Sequence, residues 1–275
     1  MAFALDGPVV LAGAGKMGAA LLAGWIARGL RPSDIVVQDP SPSKDAADLA
    51  RQHGVSIVPH LDDLPRLPSV IVVAVKPQAM DAVFPPLAKH AGPATVVMSI
   101  AAGKSLSSFE RHLPPRSAVV RAMPNTPAAI GRGITGAVGN AHVSADQKRL
   151  CQELLGAVGD VVWLDDEALI DAVTAVSGSG PAYVFLLVET LARAGEAAGL
   201  NSATSMQLAR ATVSGAGELL RRSESDPSTL RQNVTSPGGT TAAALSVLMR
   251  EKDGLQDLIT AAVLGAQKRG RELGN

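Results

Sequence analysis

Gly13-Ala14-Gly15-Lys16-Met17-Gly18 is the first string in the chain whose residue types and spacing suit chemistry. It follows the apolar run Val9-Val10-Leu11-Ala12 at once and precedes a helix-like run, so the glycines fall at a strand-to-helix turn. There Gly13 permits a tight turn, Gly15 leaves room for a pyrophosphate, and Gly18 lets the helix approach the sheet. Backbone donors at the helix start, those of Lys16 and Met17 among them, then meet the phosphate charge. A plain glycine-rich turn is the competing reading. A phosphate-transfer loop fits poorly, because the string lacks a Lys-Ser or Lys-Thr ending.

Asp39 lies about 20 residues further on, at the end of the next apolar run, where a carboxylate accepts hydrogen bonds from ribose hydroxyls. It reads equally as a turn residue in Asp39-Pro40-Ser41-Pro42. Its charge opposes a 2′-phosphate, whereas Ser41, Ser43 and Lys44 suit one, so NADH and NADPH both stay open. Lys76, in Val75-Lys76-Pro77, ends a buried-looking strand, where ligands gather in open α/β sheets. Asn125 and Thr126, inside Met123-Pro124-Asn125-Thr126-Pro127, are candidates to orient a nicotinamide or substrate, with a structural turn as the alternative.

Two later strings precede helices. In Ser177-Gly178-Ser179-Gly180-Pro181-Ala182-Tyr183, Pro181 suits the first helical position, and Ser177, Ser179 or Tyr183 can reach a ligand. In Thr235-Ser236-Pro237-Gly238-Gly239-Thr240-Thr241, a cap at Ser236 and a start at Pro237 would leave the Gly239 and Thr240 amides facing a carboxylate. Thr240 or Thr241 adds a side-chain bond to a small amino-acid-like molecule. A plain loop and helix cap explains the same residues.

The elements that must position these strings alternate. Strands are expected at 9–12, 35–37, 55–58, 70–75, 95–100, 118–123, 134–138 and 161–164, and helices at 17–27, 44–53, 78–89, 106–111 and 145–157. That alternation favours a parallel α/β, Rossmann-like sheet. After Asp165 come long Ala-rich helices, at 182–198, 203–222, 240–250 and 255–272. The chain therefore divides into a dinucleotide-binding domain, 1–165, and an all-helical substrate-binding and oligomerisation domain, 166–275. Val184, Leu187, Val188 and Leu191 form one apolar face and Leu255, Leu258, Ile259 and Ala262 another, and such faces need partners. Ala209, Ala211, Gly215, Ala216 and Gly217 would permit close helix contact.

Composition removes several classes of function. Lys plus Arg total 25 and Asp plus Glu total 25, which gives no general attraction to nucleic acid or an anionic membrane. The apolar segments are expected to fall short of a membrane span of about 20 residues, and no targeting segment is apparent. The single cysteine, Cys151, excludes an intrachain disulfide and a cysteine metal cluster, and suits a reducing, cytoplasmic setting. His53, His60, His90, His112 and His142 lack the spacing of a metal motif, so no metal is expected. No serine hydrolase triad or glycosidase acid pair stands out.

Taken together, the early glycines, Ala74-Val75-Lys76-Pro77, Met123-Pro124-Asn125-Thr126-Pro127, Ser177-Gly178-Ser179-Gly180-Pro181-Ala182-Tyr183 and the Pro-Gly-Gly-Thr segment resemble the pyrroline-5-carboxylate reductase family over nearly the whole chain. The resemblance implies reduction of 1-pyrroline-5-carboxylate to L-proline by NADPH or NADH, and dimers or larger homo-oligomers formed through the C-terminal helices. It implies that Ser236, Gly239, Thr240 and Thr241 bind the substrate, with Thr241 near the ring nitrogen as the catalytic candidate. It further implies that Gly13, Gly15 and Gly18, with Lys16 and Met17 between them, and Lys76 border the dinucleotide, with Asn125 and Pro127 beside the nicotinamide; Asp39 is a candidate by its spacing alone. Gln38-Asp39 and Leu61 depart from residues common in the family on the adenosine side. A hydroxyacid dehydrogenase using Lys76, and a noncatalytic dinucleotide sensor, are the alternative classes; turnover on small oxo acids alone marks the first, saturable binding without hydride consumption the second.

Overall fold

A computed structural model describes residues 3, 5–61, 64 and 66–274. Its first unit is an eight-stranded sheet: β1 Val9–Ala12, β2 Ile35–Gln38, β3 Ser56–Val58, β4 Val70–Val73, β5 Val96–Ser99, β6 Ala118–Met123, β7 Gly133–Gly139 and β8 Gly159–Trp163. The spatial order is β3-β2-β1-β4-β5-β6-β7-β8, with β1 paired to both β2 and β4. β1, β4 and β5 are buried along their whole length, so they read as unbroken apolar runs, as strands covered on both faces must.

One face of the sheet carries α1 Lys16–Ala27, α2 Lys44–His53 and α5 Ala145–Gly156; Leu21, Leu22 and Trp25 meet Leu154 and Leu155 there. Trp25 also donates its indole N–H to the Leu154 carbonyl at 2.9 Å, which satisfies the one polar atom of the largest buried side chain. The other face carries α3 Met80–Ala88 and α4 Leu106–Glu110, where Phe84 and Phe109 pack edge to face with ring centres 4.9 Å apart. Local signals set the helix ends. Ser43 caps α2, Gly54 ends it in the left-handed region, and Ser144 with Gln147 forms a reciprocal capping box on α5.

The expected parallel sheet is parallel from β1 to β6, but β7 runs antiparallel to β6 and β8 follows β7. Only the short 3₁₀ segment Thr126–Ile130 and its flanks join β6 to β7, too little chain for a parallel crossover. Strands and helices otherwise fall within a few residues of their expected ends. Besides short 3₁₀ turns, the elements not expected are α6 Ile170–Val173, a π-helical segment Thr174–Gly178 and, later in the chain, α9 Pro227–Asn233.

The second compact unit is 179–265, while 266–275 belongs with 1–178. It contains α7 Gly180–Ala197, α8 Ser202–Arg222, α9, α10 Thr240–Leu248 and the first part of α11 Leu255–Gly274. α7 and α8 pack closely where Gly195 faces Ser205, at which a Cβ on the glycine would lie 2.9 Å from the serine hydroxyl. Among the described residues of this unit only Ala192, Ser205, Ala209 and Gly254 are buried. Of the five small residues of α8 expected in close helix contact, only Ala209 is buried within the chain. The run Glu167–Ala197 spans 31 residues and is long and apolar enough to cross a membrane by length and composition, which corrects the expectation that no segment reaches that length.

The one cysteine sits in the core of α5, where burial pushes the Cys151 thiol up to about 12. Its thiolate is therefore scarce at any ordinary pH. A thiol-reactive dye at mildly alkaline pH should leave the folded protein unlabelled and modify Cys151 only after denaturant is added; fast labelling of the native protein would contradict the packing of α5.

Candidate functional site

The three glycines of the first turn meet three different constraints. Gly13 has φ +95°, and a Cβ there would lie 2.7 Å from the Ala74 carbonyl oxygen at the exit of β4. A Cβ on Gly18 would lie 2.3 Å from the Gly13 carbonyl oxygen and would also touch Leu11. Both positions are closed by the protein itself. A Cβ on Gly15 meets nothing within 4 Å, so the space above the N-terminus of α1 is open. Gly15 is the N-cap of α1 and no side chain caps it, which leaves the first-turn amides, from Lys16 onward, free for an anion. Lys16 is exposed, Met17 half-buried and Gly18 buried.

Polar side chains fix this turn from behind. Asp39 Oδ2 accepts from the Ala14 amide at 2.6 Å and Oδ1 from the Ser41 amide at 2.8 Å. Ser43 Oγ donates to the Ala14 carbonyl at 2.7 Å, and the Ser43 amide bonds the same oxygen at 3.0 Å. The Ala14 peptide is thus held at both ends. Asp39 is therefore both the turn residue and the residue at the end of β2; each carboxylate oxygen already has one backbone donor. Lys44, offered by the sequence for a phosphate, instead pairs with Asp48 at 2.5 Å, and that partner raises its pKa above the ordinary lysine value. Gln38 donates to the Pro59 carbonyl at 2.7 Å.

Lys76 is exposed, just after the Ala74-Val75 segment that closes on Gly13. Asn125 is 9% exposed, and both ends of its amide are used: Oδ1 accepts from the Ile134 amide at 3.0 Å, and Nδ2 donates to the Ser177 carbonyl at 3.1 Å. Pro127 is half-buried at the start of the 3₁₀ segment. The open turn above Gly15, the uncapped α1 and the acid at the end of β2 together fit a dinucleotide.

The second candidate cradle lies in the other unit and differs from its sequence reading in one respect. Ser236 does not cap a helix. Pro237 and Gly238, with φ +70° at Gly238, occupy the middle of a turn closed by the Gly239 amide on the Ser236 carbonyl at 3.0 Å, the pattern of a type II turn. α10 then begins at Thr240 with Gly239 as its N-cap and no side-chain cap. The Gly239 amide is consumed by the turn, so the free donors are those of Thr240, Thr241 and Ala242. Proline's preference for a helix start competed here with its preference for the second position of a turn, and the following glycine pair decided for the turn. Ala242 was missed because an alanine carries no side-chain signal; only its place in the first turn marks it.

Comparison with known proteins covers both halves of the chain. Residues 167–273 match the family model described as pyrroline-5-carboxylate reductase dimerisation, and residues 8–103 match that described as NADP oxidoreductase coenzyme F420-dependent. The pyrroline-5-carboxylate reductase of Pseudomonas aeruginosa is 42% identical over 265 residues, 96% of each chain. That of Synechocystis is 42% identical over 263 residues, 95% of this chain and 96% of the relative. A solved pyrroline-5-carboxylate reductase from Coxiella burnetii superposes with a TM-score of 0.90 at 36% identity, covering 98% of this chain and 99% of that one. The Plasmodium falciparum pyrroline carboxylate reductase, solved with NADP bound, gives 0.80 at 27% identity over 98% and 99%.

The glycine geometry separates ligand binding from folding. Gly15→Ala, at an extended N-cap with open space around it, should leave stability within about 0.5 kcal/mol yet weaken dinucleotide affinity in a fluorescence titration. Gly18→Ala, driven into the Gly13 carbonyl, should lower stability by about 1–3 kcal/mol in urea unfolding. Equal stability loss in both variants would remove the assignment of Gly15 to the ligand.

Proposed function

The chain belongs to the pyrroline-5-carboxylate reductase family, and from that premise we propose that the β1–α1 turn holds the dinucleotide while the first turn of α10 holds the substrate's carboxylate. The protein is an NAD(P)H-dependent oxidoreductase that reduces 1-pyrroline-5-carboxylate to L-proline, a step of proline biosynthesis. What carries the division of labour is the pair of long-enough helices, α1 and α10, that begin after a glycine turn with their first amides uncapped. One suits a pyrophosphate, the other a smaller anion beside two threonine hydroxyls.

In this reading the amides from Lys16 onward receive the pyrophosphate, and Asp39 faces the adenosine ribose while bracing Ala14. The charge of Asp39 disfavours a 2′-phosphate, and Lys44 is drawn away by Asp48; the family's use of NADPH argues the other way, so both cofactors are assigned. When bound, the reduced nicotinamide supplies the hydride that the imine carbon receives. The Thr240, Thr241 and Ala242 amides hold the carboxylate, with Ser236 and Gly239 shaping the turn. Thr241, half-buried, presents a hydroxyl to the ring nitrogen and orients it. A threonine hydroxyl is a poor free acid, so the proton enters with a protonated iminium or from solvent.

The protein is a homo-oligomer by its dimerisation match. We assign the interface to the helical segment from residue 166 onward, because many of its large apolar side chains stand exposed. Phe185 is 63% exposed, Leu186 54%, Leu258 65% and Leu264 57%. A unit with so little buried cannot offset the entropy of ordering its helices, and a second copy supplies the missing apolar surface. The same cover accounts for the apolar run Glu167–Ala197 without a membrane. A cytoplasmic setting suits a chain whose lone cysteine is buried and unpaired.

Nicotinamide absorbance should fall on addition of pyrroline-5-carboxylate and not of small 2- or 3-oxo acids; the reverse pattern would replace the substrate assignment. Thr241→Ala should lower kcat/KM for the imine roughly tenfold or more, the scale of about 1.5 kcal/mol for a hydrogen bond to a charged group, with dinucleotide affinity unchanged. Phe185→Asp should reduce the mass of the native particle in light scattering and make its melting temperature depend more steeply on concentration. A wild-type mass in that variant would move the interface elsewhere.

A further inference from the structure

β6 grips the stretch of chain that leads into the helices at two points. Arg121, in the middle of the strand, is the one charged residue in an otherwise apolar run, and its side chain is only 10% exposed. Its guanidinium reaches Glu167 Oε1 at 2.9 Å and Asp171 Oδ1 at 3.6 Å. Glu167 Oε1 also accepts from the Leu106 amide at 2.8 Å, in the first turn of α4. Two residues past the end of the same strand, Asn125 donates to the Ser177 carbonyl while it accepts from Ile134 in β7. Glu167 and Ser177 lie near the two ends of the connector, which holds α6 and the π-helical segment Thr174–Gly178.

The packing between these points is tight. A Cβ on Gly136 of β7 would lie 2.7 Å from Val173, and one on Gly178 would lie 2.8 Å from Met123 at the end of β6. Thr174 and Ser177 turn their hydroxyls back onto the Ile170 and Val173 carbonyls, at 2.8 and 2.9 Å. A π-helix is rare and persists where its surroundings hold it. Here the π-helical segment is held by Asn125 on the Ser177 carbonyl and by Met123 against Gly178, and the α6 region before it by Gly136 against Val173 and by Arg121. Burying the guanidinium costs desolvation that its two carboxylates offset only in a fixed geometry.

We propose that Arg121 and Asn125 are positioning residues for the reduction, which hold residues 167–178 as a rigid extension of the sheet. α7 begins at Gly180, two residues after this stretch. Hydride transfer depends on near-contact between two bound molecules, and a displacement of about 1 Å can cost on the order of a hundredfold in rate. The inference rests on the assigned reaction, but its first readout does not. Arg121 touches neither ligand in this scheme, and acts through Glu167 and Asp171.

The test uses the full chain as Arg121→Met, Arg121→Lys and Asp171→Asn. Hydrogen exchange across 167–178 should rise in Arg121→Met and less in Arg121→Lys, whose single ammonium cannot fork between two carboxylates. kcat should fall about tenfold or more in Arg121→Met, with NADPH affinity within about twofold of the wild type, and the lysine variant should recover part of the loss. Unchanged exchange, unchanged kcat in a folded variant, or a loss that resides in NADPH affinity would each overturn the proposal. Should Arg121→Met not fold, Asp171→Asn removes one arm alone and decides by the same readouts. Wild-type protein without turnover on pyrroline-5-carboxylate would defeat the reaction assignment, and the exchange data would still decide the clamp.

Discussion

The rest of the structure depends on a backbone turn that must be rigid and yet leave its own donors unused. The Ala14 peptide achieves this because its amide is taken by Asp39 and its carbonyl by Ser43, both from the β2–α2 loop. The donors that follow, in the first turn of α1, stay free. Gly13 and Gly18 bring the β4 exit and the helix close enough to fill the space behind the turn, and Gly15 keeps the space in front empty. A side chain at either of the first two would push the helix off the sheet. The proposed anion site is therefore a by-product of close packing, with the helix end as its electrostatic source.

The second unit solves the same problem with different parts. A proline and two glycines make a turn that spends the Gly239 amide internally, and the next three amides open onto the first turn of α10. In the same unit, the helices keep leucines, valines and a phenylalanine in solvent at exposures typical of a surface that another chain covers. In the proposed reading, substrate site and association surface belong to one stretch of sequence.

Much of this was legible in the residues. Strands such as Val70–Val73 are continuous apolar runs because both faces are covered, and the helix patterns were bounded by signals such as Ser43 and Gly54 that act locally. The glycine turn was readable in type and in place, between β1 and α1. Other features were not. The reversal of β7 depends on how little chain joins it to β6, α9 is too short to show a period, and the π-helical turn in Thr174–Gly178 has the same composition as an ordinary helix start. Asn125 carried a polar signal that did not say whether ligand or backbone would use it.

The sequence by itself determined the alternation of elements, the glycine turn, the Pro-Gly-Gly-Thr segment and the family to which they point, since each is a matter of local propensity or short spacing. Tertiary structure alone decided that Asp39 spends its oxygens on backbone amides, that the Gly239 amide closes a turn on the Ser236 carbonyl, and that Arg121 reaches across to Glu167 and Asp171. The reason is physical. A donor or a charge is fixed by residue type, but its partner is whichever group the folded chain brings within about 3 Å, and residues as far apart as Arg121 and Asp171 become neighbours only when the sheet has formed.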